Sequence, residues 1–260
     1  MTIACLLFNP RTLGALAALW ALCCPAVGGA AEVQVAVAAN FAGPMQKIAK
    51  AFEEDSGHRV RTALGSTGKL ATQIKSGAPF EVFLSADSQT AASLEAEGLA
   101  VAGSRFSYAT GRLALWSRQA GLVDAQGAVL RTGQFSYLAM ANPRLAPYGE
   151  AALEVLKAMG LWPALQSRVV NADSVGQSYQ FVASGNAELG FVALSQILAD
   201  TENNKSAYWL VPSHLHAPLR QDAVLLQTGK DKPAALALMR FLKSPAAQAI
   251  IQAYGYSVDK

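Results

Sequence analysis

Residues 34–70 read QVAVAANFAGPMQKIAKAFEEDSGHRVRTALGSTGKL, and the order of patterns in this stretch decides the architecture. Residues 34–39 (QVAVAA) are a short apolar run rich in Val, the pattern of a buried strand. Asn40 is placed to cap the helix that follows. That helix carries Met45, Ile48, Ala49 and Phe52 on one face and tolerates Pro44 in its first turn. It stops at about Ser56, before Gly57. Residues 60–64 then form a second strand, and the polar turn Gly65-Ser66-Thr67-Gly68 leads into a helix over 70–75. Further on, Val82-Phe83-Leu84 is a third strand, and Ser85-Ala86-Asp87 caps a helix through Ala91, Leu94 and Leu99. Strands and helices alternating at this spacing predict an α/β fold with a mostly parallel sheet flanked by helices. Such sheets bind ligands beyond the carboxyl ends of their strands, where helix N-termini meet. Asn40 and Ser66-Thr67 fall at two of those ends.

The rest of the chain repeats the pattern. Residues 106–117 (FSYATGRLALWS) are β-prone and 121–133 loop-like. A strand at 137–141 leads to Pro147-Tyr148-Gly149, which opens a helix over 150–159. A strand at 169–172 is followed by a helix over 175–184. Residues 190–194 and 223–227 (AVLLQ) are further buried strands, and helices over 233–242 and 245–253 close the chain before Tyr254-Gly255. Two segments, 106–115 and 216–224, are placed to carry the chain between two lobes.

The N-terminus reads differently. Residues 13–24 (LGALAALWALCC) are uncharged and largely apolar, Arg11 is the only charge before them, and small residues occupy 26–31. A basic start, a short apolar run and a small-residue exit describe a secretory leader, residues 1–31, cleaved after Ala31 or one residue earlier. A membrane span needs about 20 apolar residues, and this run is shorter. All three cysteines, Cys5, Cys23 and Cys24, lie in that segment, so the mature chain has no disulfide or thiolate metal site. Cleavage takes a 260-residue chain of formal charge +3 to one of 229 residues at +2. Hydrophobic residues make up 52% and charged residues 15%, which excludes a disordered chain. With no run dense in Arg or Lys, a nucleic-acid binder is excluded as well.

Catalytic machinery is hard to find. There is no G-x-S-x-G elbow, and the chain has only His58, His214 and His216 as imidazole bases. His214-Leu215-His216 lacks the spacing and the accompanying ligands of a zinc site. Gly68-Lys69 fails as a nucleotide-binding loop, because Ala63 and Leu70 stand where that motif needs Gly and a hydroxyl residue. A secreted hydrolase using Ser85 and Asp87 has no His placed to serve them. What recurs instead is a set of neutral hydrogen-bonding residues at predicted helix starts: Asn40, Ser66, Thr67, Tyr148 and Ser174. Each alone reads as an ordinary helix cap. Together, at strand-to-helix junctions, they describe a site where helix ends of roughly half a positive charge each hold a dianion without Lys or Arg.

Several segments resemble one family. Ala38-Ala39-Asn40-Phe41, Gly65-Ser66-Thr67-Gly68, residues 78–87 (APFEVFLSAD), Ala141-Asn142-Pro143 and Ala146-Pro147-Tyr148-Gly149 are similar to the periplasmic molybdate-binding proteins of bacterial ABC importers. Asp173-Ser174-Val175-Gly176-Gln177 and Leu189-Gly190-Phe191-Val192-Ala193 extend the likeness over essentially the whole mature chain. The resemblance implies the two-lobed periplasmic binding protein fold of type II, with two crossover segments. Residues 32–108 and 218–260 would form one lobe and 109–217 the other. It implies a monomeric binding protein in the periplasm, not an enzyme, that needs no cofactor. That protein would close on molybdate or tungstate and deliver it to the membrane permease of an ABC transporter. Carried over by position, Asn40 donates from its amide or backbone N–H, Ser66 or Thr67 supplies the next donor, with Thr67 favoured by counting back from Leu70-Ala71. Tyr148 gives a phenolic hydroxyl and Val175 a backbone N–H, and the oxyanion is held by Asn40, Thr67, Tyr148 and Val175 without direct ligation of the metal. Many members carry Tyr where this chain has Ala193, and Tyr148 is expected to replace that hydroxyl from across the cleft. Sulfate is the alternative ligand. Phosphate, which carries a proton, calls for a carboxylate acceptor that these junctions lack. The leader and the missing DNA-binding segment disfavour the sensing domain of a regulator.

Overall fold

The computed structural model describes residues 30–200 and 208–258, which fold into two lobes, each built on a five-stranded mixed sheet. The first sheet takes β1 (Glu32–Ala38), β2 (Arg59–Gly65), β3 (Val82–Leu84) and β4 (Phe106–Gly111). The chain then enters the second, with β5 (Leu113–Trp116), β6 (Leu138–Ala141), β7 (Val169–Ala172), β8 (Leu189–Ala193) and β9 (Tyr208–Leu210), and β10 (Leu219–Leu225) returns it to the first. The strand orders are β2-β1-β3-β10-β4 and β7-β6-β8-β5-β9. In the first sheet β1 runs parallel to β2 and β3 while β10 is antiparallel to β3 and β4. The second copies the plan, β6 being parallel to β7 and β8 and β5 antiparallel to β8 and β9. The chain thus makes two crossings, one at Arg112 and one between Leu210 and Leu219.

Both faces of each sheet are covered, which is why the strands read as continuous apolar runs rather than alternating ones. On β1, Val33, Val35 and Val37 pack with Phe41, Met45, Ile48 and Phe52, while Ala36 turns to the opposite layer with Leu70, Ile74, Phe83 and Leu94. On β5, Leu113 and Leu115 face one layer with Met140 and Phe191, and Ala114 and Trp116 the other with Val182 and Ile197.

The helices that matter for the site follow strand ends. Helix α1 (Ala42–Ser56) ends at Gly57, whose φ of 71° is the left-handed geometry that glycine supplies without strain. Next come α2 (Thr67–Lys75) and α3 (Ser88–Ala96), the latter capped by Asp87, whose carboxylate accepts from Thr90 N at 2.5 Å. In the second lobe α4 (Pro147–Ala158) follows β6, α5 (Val175–Ala183) follows β7 and α6 (Leu194–Ala199) follows β8. Helices α7 (Pro233–Phe241) and α8 (Pro245–Ala253) close the first lobe.

Several local expectations shift. Asn40 does not cap α1: residues Ala39–Phe41 form a 3-10 turn and α1 begins at Ala42. Helix α2 starts at Thr67, three residues before the apolar periodicity suggested, so Ser66 is its first flanking residue. The changeover expected between residues 108 and 109 falls inside β4, and the chain changes sheets at Arg112. Strand β10 begins at Leu219, before the expected 223, and β9 and α6 were not anticipated. Residues 1–29 of the expected leader, with its three cysteines, lie outside the described residues. No single described helix is long and apolar enough to cross a membrane.

Candidate functional site

Four strand ends converge on one small cavity. The 3-10 turn after β1 brings Ala39 and Asn40, the turn after β2 brings Ser66 and Thr67, α4 brings Pro147 and Tyr148, and the start of α5 brings Ser174 and Val175. The cavity volume is about 10 Å³ and no charged side chain lines it. Organic ligands generally occupy pockets of roughly 300–1,000 Å³, so a space of this size suits a small inorganic ion. The lobes meet around it: Gly68 N donates to Leu145 O at 2.9 Å, Ser195 Oγ to Asn40 O at 2.7 Å, and Lys69 pairs with Asp173 at 2.6 Å across the cleft. A wider apolar cleft opens alongside, sharing Ala39, Gly65 and Ser174 with the cavity.

All five residues singled out from the sequence, Asn40, Ser66, Thr67, Tyr148 and Val175, line this cavity, together with Ser174. Their chemistry differs from residue to residue. Ser66 flanks α2 in the capping position but makes no capping bond, and its Oγ is buried with no hydrogen-bond partner. A buried hydroxyl without a partner costs about 1–3 kcal/mol. Thr67, by contrast, accepts from Ala86 N at 3.1 Å through its hydroxyl oxygen. Ser174 caps α5, accepting from Gln177 N at 3.2 Å, as an ordinary cap would. Thr67, Tyr148 and Val175 stand in the opening turns of their helices, where backbone N–H groups have no intrahelical acceptor.

The Asn40 amide turns away from the cavity. Its Nδ2 donates to Gln221 Oε1 at 2.8 Å and to Tyr256 Oη at 3.0 Å. Its carbonyl accepts from Ser195 and lies 2.9 Å from the Tyr256 hydroxyl, so the residue ties the turn after β1 to both groups. Tyr148 behaves differently. Its oxygen accepts from Gln221 Nε2 at 3.3 Å, and its own proton is shared between the cavity side and the neighbouring Tyr256 hydroxyl. Burial holds the Tyr148 and Tyr108 phenols well above the usual value of 10 and pushes Tyr256 up to about 12, so all three stay protonated and neutral. Tyr148 and Ala193 belong to the same lobe, so Tyr148 does not reach across the cleft relative to that position, and Ala193 does not line the cavity.

Gln221, Tyr108, Tyr256 and Ser195 are the residues that sequence reasoning missed. The one local signal was a Gln-Asp pair inside an apolar strand. The conceivable hydrolase pair behaves structurally: Ser85 Oγ accepts from Asp87 N at 3.2 Å and Asp87 caps α3. Among the described residues no group of three or more His, Cys, Asp or Glu is placed to hold a metal ion. The cavity therefore presents hydroxyl and amide donors, three helix N-termini and no carboxylate, an arrangement suited to an unprotonated anion.

Residues 33–257 match the family model described as bacterial extracellular solute-binding protein. The molybdate-binding protein ModA of Azotobacter vinelandii is 56% identical over 230 residues, covering 88% of this chain and 91% of that protein. The ModA of Rhodobacter capsulatus is 47% identical over 254 residues, covering 96% and 98%. The solved periplasmic molybdate-binding protein of Azotobacter vinelandii superposes with a TM-score of 0.84 at 42% identity, over 88% of this chain and 100% of that one. With its two-lobed fold and a family match over nearly all the described residues, the chain belongs to the bacterial extracellular solute-binding proteins.

Proposed function

We propose that this protein is a periplasmic receptor that captures molybdate, and tungstate with it, between its lobes and delivers the ion to the membrane permease of an ABC importer. The observation that carries the reading is the Ser66 hydroxyl, buried and unpartnered on the wall of a charge-free cavity lined by helix N-termini from both lobes. The relatives at 56% and 47% identity, both named as molybdate-binding proteins, support the choice of ion. In this reading the Ser66 and Tyr148 hydroxyls donate to the oxyanion, with backbone N–H groups of Asn40, Thr67 and Val175. Thr67 contributes through its main chain and by anchoring Ala86. Ser66 takes the side-chain role for which Thr67 had been favoured.

The protein would act as a monomer, without a cofactor and without catalysis. Residues 1–31 would serve as the export leader, and residues 32–111 with 219–260 would make one lobe and 113–210 the other. Neutral donors suit a dianion whose four oxygens all accept, and the lack of a facing carboxylate disfavours hydrogen phosphate. Sulfate is also an unprotonated tetrahedral dianion, so it is the discriminating competitor. The test is isothermal titration and thermal melting with molybdate, tungstate, sulfate, phosphate and chromate. Molybdate and tungstate are expected to bind tightly and raise the melting temperature, with sulfate and phosphate far weaker. Equal binding of sulfate would refute the assignment to molybdate, and no response to any oxyanion would refute the receptor reading.

A further inference from the structure

We infer that Gln221 is a positioning residue of the oxyanion site, its side-chain amide holding the Tyr148 hydroxyl so that the phenolic proton points into the cavity. The inference rests on the functional reading above and assigns a role to a residue outside the cavity wall.

Gln221 lies on β10 of the first lobe and is wholly buried. A buried carboxamide is costly unless its groups are paired. Here Oε1 accepts twice, from Asn40 Nδ2 at 2.8 Å and from the Tyr108 hydroxyl at 3.0 Å. Tyr108 shares its single proton between Gln221 Oε1 and Ser85 O, the latter at 3.2 Å, and the nitrogen end of the Gln221 amide is turned toward Tyr148, to whose oxygen it donates at 3.3 Å. A phenol has a single proton. With its oxygen receiving a hydrogen bond from behind, Tyr148 has that proton to give on the cavity side. The neighbouring Tyr256 hydroxyl, which accepts from Asn40 Nδ2 and shares its own proton between Asn40 O and Ser195 Oγ, is the competing acceptor for that proton, and a charged oxyanion in the cavity draws it more strongly.

Gly111 supplies an independent sign that the pair is a built contact. A Cβ at this position on β4 would lie 2.1 Å from Tyr148 Oη and 2.6 Å from Gln221 Nε2. Only a residue without a side chain leaves room for both groups. The same amide also steadies Asn40 through the other arm, so one side chain of the first lobe sets a donor from each lobe.

The test uses Gln221→Glu and Gln221→Met in the full mature protein, each alone and with Tyr148→Phe, titrated with molybdate from pH 6 to pH 8. The ionisable groups around position 221 are the phenols of Tyr108, Tyr148 and Tyr256. Asp222 turns instead to Arg105, Ser88 and Ser107, and Asp87 to Thr90. A glutamate at 221 therefore faces no cation, and burial raises its pKa. Ionised, it accepts a hydrogen bond from the Tyr148 hydroxyl, turning that proton away from the cavity, and faces the anion with its own charge. Protonated, it donates again. Gln221→Glu is expected to bind at least roughly 100-fold more weakly at pH 8 and to regain at least about tenfold by pH 6, while the wild type stays level. Gln221→Met is expected to lose about tenfold at every pH, and less than about threefold when Tyr148 is already Phe. Unligated melting curves check that each variant folds. Equal, pH-independent losses in the two variants, a Met loss undiminished in the Tyr148→Phe background, or no loss at all would overturn the inference. A wild-type protein that binds no oxyanion would strike the functional reading itself, and that arm is read before any variant.

Discussion

Replacing Ser66 by Ala separates binding from scaffolding, because the two roles predict opposite signs. In the structure the Ser66 Oγ is buried without a protein partner and caps nothing, although it flanks α2. Removing it deletes an unsatisfied group, worth about 1–3 kcal/mol, and creates only a one-atom void. Taking the low end, about 1 kcal/mol, the unligated protein should melt roughly 2–4 °C higher at this chain length. A working cap lost to Ala would lower stability by a similar amount instead. Binding moves the other way. A hydroxyl donating to a charged oxyanion contributes about 1.5–3 kcal/mol, so affinity should fall roughly 10- to 150-fold. At a molybdate concentration 100 times the wild-type Kd, linkage stabilises the wild type by about 2.7 kcal/mol. The same concentration is then only about 0.7–10 times the variant's Kd, and stabilisation drops to about 0.3–1.4 kcal/mol. Differential scanning calorimetry without and with molybdate, beside isothermal titration, reads both quantities. A variant that melts lower without ligand, or that keeps wild-type affinity, would refute the assignment of Ser66 as an unpaired donor awaiting an anion.

Gly111→Ala should weaken molybdate binding at least about tenfold and cost roughly 1–3 kcal/mol of stability, because its Cβ would overlap Tyr148 Oη and Gln221 Nε2; titration and melting would show both. Affinity should stay level from pH 6 to pH 9 and decline only above about pH 10, since burial keeps the Tyr148 phenol protonated and only its loss replaces a donor by a negative charge. A drop near pH 8 in the titrations would contradict that protonation state. Asp87→Asn should match or exceed the wild-type melting temperature at pH 7 and lose the advantage below pH 3.8. Burial raises the Asp87 pKa above that value, so the folded state holds a proton that the unfolded chain has released and wild-type stability falls as pH rises through this window, whereas Asn keeps an acceptor for Thr90 N without the charge. Lys69→Ala should change stability by less than about 1 kcal/mol, because the Lys69–Asp173 pair across the cleft is largely exposed, as melting would confirm.

What the sequence made legible was local. Each wall of the cavity is a strand end followed within a few residues by a helix start, and both patterns are written in contiguous residues. That is why residues 34–70 suffice to place Asn40 and Ser66-Thr67 at the carboxyl edge of the first sheet. The chain's crossing between lobes was blurred for the same reason. Residues 106–117 are one β-prone run, and nothing in its periodicity marks Arg112 as the place where one sheet ends and another begins. Strand β10 was shortened because Arg220, Gln221 and Asp222 look like loop residues. Asp222 is nonetheless wholly buried, held by Arg105, Ser107 and Ser88, which come from distant parts of the chain.

The division of labour inside the site follows the same line. A hydroxyl at a helix start is compatible with capping or with binding, and its local sequence is the same in both cases. Ser174 and Ser66 occupy equivalent positions before α5 and α2, yet one caps and the other is left unpaired. Asn40 looked like a cap because an Asn precedes a helix, but its amide answers to Gln221 and Tyr256, which lie 181 and 216 residues away. Helix N-termini alone favour any small anion that fits. Selection requires that each donor be held with its proton aimed inward and no spare acceptor beside it. Behind the wall stand Gln221, Tyr108 and Tyr256, residues whose partners are fixed only when the two sheets are assembled. The affinity of the cavity is therefore written at four local junctions, and its discrimination in contacts that only the folded chain brings together.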